Sequence, residues 1–393
     1  MSLHIQTLQL DEFRGYSHLE LSDLGALTVI AGPNAVGKTN IIEAIQLLCS
    51  ATSFRKPTWS QTISWGAATA HLRALFVDGK RRIEHTLAIT GNERRYEVNG
   101  KRKTAAAVRG TCPCVLFIPD DLQMVKASSA KRRGALDDLG TQLSKGYALL
   151  KGDYAQVVRQ RNLLIKEGVA DPVLFESWNE SLAVAGARLC VNRWRLAARL
   201  FSHLSTIHEQ LAEGQRLEVR YLPSWERFDD GGRQLDDAPV LAEGEVVEVP
   251  SVDVVEARLL ECMHRFSDAE FRRGTSLFGP HKDEVAFFID GRNARLFASQ
   301  GQQRTLVLAW KLAEVELVAD ILDQQPLLLL DDVMSELDEQ HRRSLGRFVE
   351  HSAQTFMTTA NLGYFSEEVL SRADVIEVPI AGTRHTYSTC SLP

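Results

Sequence analysis

The chain has 393 residues and a formal net charge of −6, with 45 Lys and Arg against 51 Asp and Glu. At about 150 residues per domain that length predicts two to three domains and ample chain for a core. A composition of 44% hydrophobic and 24% charged residues excludes collagen-like, mucin-like and wholly disordered chains, and the acidic balance excludes holding nucleic acid by bulk positive charge. A local basic face on an acidic body stays open. The cysteines Cys49, Cys112, Cys114, Cys190, Cys262 and Cys390 are scattered, with only Cys112 and Cys114 close together. That spacing is neither CxxC nor half of a zinc site, so reduced, buried thiols in a cytoplasmic chain are expected. Residues 1–10 lack a basic segment followed by an apolar one, and no run approaches the roughly 18 apolar residues of a membrane span.

In chain order, Leu3, Ile5, Leu8 and Leu10 predict a strand, and the apolar run 27–31 predicts a buried strand feeding a turn. Residues 39–49 carry a helical stripe of Ile41, Ile42, Ala44, Ile45, Leu47 and Leu48. Short strands are expected at 71–77, 83–89, 96–98 and 115–118, between charged turns. Residues 131–213 read as long helices divided by Gly152, Gly168 and Pro172. Strand and helix signals resume after Gly274, with a very apolar run at 327–330. Charge is uneven: 78–133 has a local net of +7, whereas 225–256 has −8 and reads as a mobile acidic loop or insertion. The expected architecture is α/β, a mixed sheet with helices in a discontinuous head (1–125 and 270–393). An inserted, mostly helical lobe (126–269) includes the acidic stretch.

Gly32-Pro33-Asn34-Ala35-Val36-Gly37-Lys38-Thr39 matches GxxxxGK[ST] at every fixed position, between a predicted strand and a predicted helix. Glycines let the backbone wrap an anion with its N–H groups inward, at the positive end of a helix. In such a loop Lys38 reaches the β- and γ-phosphates and the Thr39 hydroxyl ligates Mg²⁺. A carboxylate for that metal is supplied by the apolar strand 327–330, which delivers Asp331 at its C-terminal edge, where open α/β sheets place ligands. Asp332 follows and could position the attacking water. Ser299-Gln300-Gly301-Gln302-Gln303-Arg304 precedes another helical stripe; an anion contact and an ordinary N-cap explain it equally well.

Taken in order, these segments resemble an ABC-type ATPase head: Walker A at 32–39, a signature motif at 299–304, Walker B at 327–332 and a D-loop at 335–338. Leu8-Gln9-Leu10-Asp11-Glu12-Phe13-Arg14-Gly15-Tyr16 is similar to the opening of the bacterial RecF family. So are Ser53-Phe54-Arg55, Arg132-Arg133 with Leu136-Asp137, and Arg159-Gln160-Arg161-Asn162. Arg273-Gly274-Thr275 and Gly279-Pro280-His281-Lys282-Asp283 extend the likeness nearly end to end, and the chain is identified as a member of that family.

The resemblance implies ATP and Mg²⁺ as cofactors and an ATP-dependent homodimer. It implies sequence-independent binding to double-stranded and gapped or single-stranded DNA. RecO, RecR and RecA are the implied partners, in replication, repair and the SOS response. Nucleotide would lie on Gly32 to Gly37, Lys38, Thr39 and Asn40, with Arg14, Ser299, Gly301 and Gln302. Thr39 and Asp331 would hold the metal, and Lys38, Asp331 and Asp332 would serve a weak, DNA-stimulated hydrolysis.

Three positions depart from the pattern. Ala35 replaces a common glycine, so that position is expected not to need a glycine-only φ. Gln300 replaces the ABC glycine, and Asp332 replaces the usual glutamate, its shorter arm suggesting slow hydrolysis. Several residues keep two readings. Arg14 and Arg55 are either near phosphate or solvated turn residues. His281 is catalytic or a loop-packing residue, and Thr358 or Thr359 stands where ABC heads carry a switch histidine. Lys80, Arg81, Arg82, Arg94, Arg95, Lys101, Arg102 and Lys103 could form one basic surface for DNA phosphates, with Arg55 as a further contact, or be solvated hairpin tips. The competing functions are an ATP-gated clamp without hydrolysis, an SMC-like ATPase and a transporter-type subunit. For an SMC-like chain the insert is too short, and a transporter subunit would carry LSGGQ and a switch histidine.

Overall fold

The computed structural model describes residues 3–79, 81–168, 171–227, 248–351, 354–378 and 385–388. Lys80, Cys390 and residues 228–247 of the acidic stretch lie outside the described residues. In chain order the elements begin with β1 (His4–Phe13), β2 (Tyr16–Ser22), β3 (Leu27–Ala31), α1 (Lys38–Ser50), β4 (Thr69–Asp78) and β5 (Arg81–Thr90). Next come β6 (Arg94–Val98), β7 (Lys101–Lys103), α2 (Ala105–Val108) and β8 (Cys114–Phe117). A helical stretch follows with α3 (Ser129–Leu143), α4 (Lys145–Glu167) and α5 (Pro172–Leu211), then β9 (Leu217–Leu222), α6 (Val252–Arg265) and α7 (Ser267–Arg273). β10 (Glu284–Ile289), β11 (Arg292–Asn293), α8 (Ala294–Phe297) and α9 (Gln300–Leu322) lead to β12 (Leu327–Asp331) and α10 (Glu339–His351). The chain closes with β13 (Thr355–Thr359), α11 (Glu367–Ser371), β14 (Asp374–Glu377) and β15 (His385–Ser388).

The chain divides into two compact units, Met1–Leu122 with Trp310–Pro393, and Gln123–Ala309. The return to the first unit falls at Trp310 rather than at 270. The reason is pairing: β10 forms a three-stranded antiparallel sheet with β9 and β11, so residues past 270 stay with the second unit. The inserted lobe is therefore helical with a small sheet of its own.

In the first unit, a five-stranded parallel sheet runs β14-β3-β13-β12-β8, and a seven-stranded sheet runs β15-β2-β1-β4-β5-β6-β7. β3 and β12 are buried at every residue, as expected of strands covered on both faces. α1 packs on strands of both sheets and buries Ile41, Ile42, Ile45, Leu47 and Leu48 among Leu8, Leu10, Leu327 and Phe356. Each such side chain contributes roughly 1.5–3 kcal/mol on burial, which fixes the helix against the sheet that carries the site.

In the second unit, Gly152 does not divide a helix; α4 runs straight through it. A mid-helix glycine costs only about 1 kcal/mol, which the packing of a 23-residue helix outweighs. The other two dividers act by the expected chemistry: Gly168 takes φ 65° as the left-handed C-cap of α4, and Pro172 opens α5 behind the Asp171 cap. Arg161, with a side chain of 0% exposure, donates to Glu270, Asn179 and Ser276, tying α4 to α5 and α7.

Candidate functional site

The parallel sheet sets the site, because its strands end together at one edge. The register pairs Thr358 with both Ile30 and Asp331, so the ends of β3, β13 and β12 lie side by side. After β3, the Gly32 amide donates to Thr359 O, and a Cβ on Gly32 would lie 2.6 Å from Val378 O, which leaves room for glycine alone. Gly37 sits at φ 107° with the Tyr16 ring 3.2 Å from where a Cβ would stand. Between them Ala35 takes φ 69°, a left-handed conformation that favours glycine but that an L-residue can adopt, so the position does not need a glycine-only φ. The loop must alternate its backbone hand to turn successive N–H groups inward, and an L-residue meets that demand at a cost of about 1–2 kcal/mol. The Lys38 Nζ donates to Gly32 O and Pro33 O, both at 2.7 Å. Burial pulls this ammonium below its ordinary pKa, while Asp332 and Asp331 pull it back up.

Thr39 Oγ1 donates to Asp331 Oδ1 at 2.9 Å, joining the first helical turn of α1 to the end of β12. Thr358 Oγ1 donates to the same oxygen at 2.8 Å and accepts the Asp332 amide at 2.8 Å. Of the two threonines considered, Thr358 therefore meets the carboxylate, whereas Thr359 Oγ1 turns to Asn361 O. Burial raises the Asp331 pKa, against the two threonine hydrogen bonds and Arg55, with the Asp332 charge adding to the rise. Asp332 occupies φ 52°, and its Oδ1 is buried with no hydrogen-bond partner among the described residues. A hard cation would suit this donor set of a hydroxyl, a doubly engaged carboxylate and an orphaned carboxylate oxygen.

Beside the loop stands a group that the sequence patterns did not single out. Glu43 is fully buried on α1 and accepts both Arg14 Nε (3.0 Å) and Arg14 Nη2 (2.7 Å), Ser53 Oγ (2.6 Å) and Arg55 Nη1 (3.4 Å). Arg14 is thus a bidentate partner of α1 that also donates to Gln61 O, and Arg55 donates to Asn40 Oδ1 at 2.8 Å. The available signal was a single charge inside an otherwise apolar stripe: Glu43 lies between Ile42 and Ala44.

Ser299, Gly301 and Gln302 lie in the second unit, where Ser299 caps α9. Its amide donates to Gln302 Oε1 (2.9 Å) and its Oγ accepts the Gln302 amide (3.3 Å), a reciprocal capping box with Ser299 and Gly301 exposed. His281 packs in a loop: its Nδ1 meets Tyr154 Oη at 2.5 Å and its Nε2 meets Ser276 O at 3.2 Å.

The basic residues on β5, β6 and β7 do not form one surface. Strand alternation puts Arg82, Arg95 and Arg102 on one face of the sheet and Arg81, Arg94, Lys101 and Lys103 on the other, as the pairs Glu97↔Arg102 and Tyr96↔Lys103 require. All seven are exposed. Arg81 pairs with Asp78, Arg95 with Glu97, and the Arg94 guanidinium stacks 3.8 Å above the Trp59 ring.

Comparison with known proteins fits this geometry. The RecF/RecN/SMC N terminal domain family matches residues 4–377. A DNA replication and repair protein RecF of Symbiobacterium thermophilum is 38% identical over 92% of this chain and 92% of its own. The protein of the same name from Moorella thermoacetica is 34% identical over 96% of this chain and 95% of its own. Among solved structures, the recombination mediator protein RecF-ATP in the RecFOR pathway superposes with a TM-score of 0.80 at 26% identity, covering 93% of this chain and 94% of that one. The Smc head domain from Pyrococcus furiosus superposes at 0.52 with 16% identity over 96% and 94%, a likeness of fold alone. No helix among the described residues is long and apolar enough to cross a membrane.

Proposed function

The chain belongs to the RecF family of DNA replication and repair proteins, and from that premise we propose that it is an ATP-gated DNA-binding protein of recombinational repair and replication restart. The observation that carries the reading is the 2.9 Å hydrogen bond between Thr39 and Asp331, groups 292 residues apart in sequence that meet at the strand ends behind the glycine loop. Gly32 to Gly37 and the first amides of α1 cradle the phosphates of ATP, and Lys38 exchanges its two loop carbonyls for the β- and γ-phosphates. Thr39 and Asp331 would hold Mg²⁺, which when bound neutralises charge on the phosphates. Asp332 orients the attacking water with the oxygen that has no partner among the described residues, and its short arm sets a slow turnover. Arg14 and Asn40 border the nucleotide through the Glu43 cluster.

The exposed cap of α9, with Ser299, Gly301 and Gln302, faces the nucleotide of a second copy, as signature motifs of ABC heads do. A γ-phosphate shared by two copies stabilises the dimer only while it exists, so ATP closes the pair on DNA and slow hydrolysis releases it. The sheet face that carries Arg82, Arg95 and Arg102, with Arg55 as a further contact, supplies phosphate contacts that read no sequence. The dimer would act at single-strand gaps with RecO and RecR to help load RecA, in the cytoplasm. Turnover measured with and without duplex DNA, beside sedimentation in ATP and in ADP, tests the reading. ATP-specific dimers and DNA-stimulated hydrolysis are expected, and a monomer indifferent to both ligands would overturn it. Lys38→Arg should retain nucleotide and lose hydrolysis. An ATP-specific dimer with no turnover would instead select a clamp that binds ATP without cleaving it.

A further inference from the structure

The second unit contains a cavity of about 660 Å³, built from α3, α4, α5 and the loop before β10. Three segments that stood out in the sequence meet there and are not used by the nucleotide site: Arg132-Arg133, 159–162 and 279–283. Five cationic side chains line it, Arg133, Lys151, Arg159, Lys166 and Arg193, against one carboxylate, Asp137. That carboxylate is already engaged, accepting Arg193 Nε at 2.9 Å, Arg193 Nη2 at 3.1 Å and the Tyr147 hydroxyl at 2.6 Å. Lys151 stands 3.9 Å from Asp137 and 3.5 Å from Asp138. Arg159 and Lys166 make no ion pair among the described residues.

His281 adds no balancing charge and no further cation. Burial keeps its ring neutral, and with Nε2 donating to Ser276 O its Nδ1 is left to accept the Tyr154 hydroxyl. Burial, and after it the adjacent Arg193 cation, hold Arg133 below its ordinary pKa, against the pull of Asp283 and Glu284. Burial, with Lys282, Arg133 and Arg193 around it, lowers His281 to about 3. Beside the cations, Val158, Leu163 and Leu189 supply an apolar wall. The volume lies inside the range of about 300–1,000 Å³ typical of small-molecule sites.

Cations that outnumber carboxylates in a concave site with an apolar wall match a ligand with a charged head and a ring. We propose that this cavity is a second anion site, which takes a phosphate monoester carried on a nucleoside, either a free nucleotide or the terminal phosphate of a DNA strand. Arg159 and Lys166 bind the phosphate, Arg133 and Lys151 close around it, and the apolar wall holds the sugar or base.

The test uses the full chain saturated with Mg-ADP, so that the glycine loop is filled, and thymidine 3′,5′-bisphosphate as the calorimetric titrant. One equivalent should bind, and Arg159→Ala/Lys166→Ala should weaken it at least tenfold. Gly134 on α3 lines the same cavity, and a Cβ there meets nothing within 4 Å. Gly134→Leu should therefore fill the cavity and abolish binding with the thermal melt unchanged or raised, since leucine favours the helix more than glycine does. No binding, or binding unaffected by both variants, overturns the proposal. A 5′-phosphorylated duplex that displaces the bisphosphate, where its 5′-hydroxyl counterpart does not, assigns the site to a strand end. Displacement by neither duplex assigns it to a free nucleotide, and equal displacement by both would overturn the phosphate-monoester assignment.

Discussion

Thr358 shows how one side chain can hold a site. Its hydroxyl bridges Asp331 Oδ1 and the Asp332 amide, so the conformations of both carboxylates depend on it. Thr358→Val keeps the shape but leaves those groups unpaired, and should cost about 1–3 kcal/mol in urea unfolding while weakening ATP affinity. Ala35 is the opposite case, a residue held in a backbone region it disfavours. Ala35→Gly relieves that conformation and should stabilise the protein by on the order of 0.5–1 kcal/mol, read as a higher melting temperature, with nucleotide affinity retained. The glycine-loop motif was legible in the sequence because it is local; the left-handed φ of Ala35 was not, since residue type alone argued against it. Glu43 was equally hidden, because its partners Arg14 and Arg55 come from separate segments.

The long helices of the second unit are fastened by buried charge. Arg161 and Glu270 are each fully buried, and burial raises the Glu270 pKa even with Arg161 beside it. Removing one partner leaves an uncompensated buried charge, so Arg161→Met should cost about 3–5 kcal/mol in denaturant unfolding, and Arg161→Met/Glu270→Leu should recover most of it. The loop that carries His281 between α7 and β10 adds a pH dependence. The folded ring titrates at about 3, below the unfolded value of about 6.5, so the folded state binds fewer protons in between. Its stabilisation is complete above pH 6.5 and is lost as pH falls toward 3, by up to about 1.4 kcal/mol per pH unit. Urea midpoints at pH 7, 6 and 5 should fall for the native chain and fall less for His281→Gln. Helix periodicity announced α4 and α5, but not that Gly152 would be carried within a helix. Packing along its whole length settled that.

For the molecule as a whole, the net charge of −6 averages over unlike parts: without the stretch 225–256 the chain stands at about +2. Strand alternation then divides the basic residues between two sheet faces. Arg82, Arg95 and Arg102 share the face that carries Arg73 and Glu84, away from the buried side of β4 and β5. Arg82→Ala/Arg95→Ala/Arg102→Ala should weaken duplex binding alike for unrelated sequences. It should also lower the slope of log affinity against log salt by about 0.9 for each DNA phosphate left without its arginine, measured by fluorescence anisotropy. By itself the sequence determined the glycine loop, the apolar strand ending in Asp331 and Asp332, and the family, because each is written in contiguous residues whose spacing has a local physical meaning. Only the tertiary structure decided that Thr358 rather than Thr359 meets Asp331, that β10 and β11 stay with the second unit, and that Arg133, Arg159 and His281 line one cavity. Those outcomes depend on strand register and helix packing, which bring together groups that no local spacing relates.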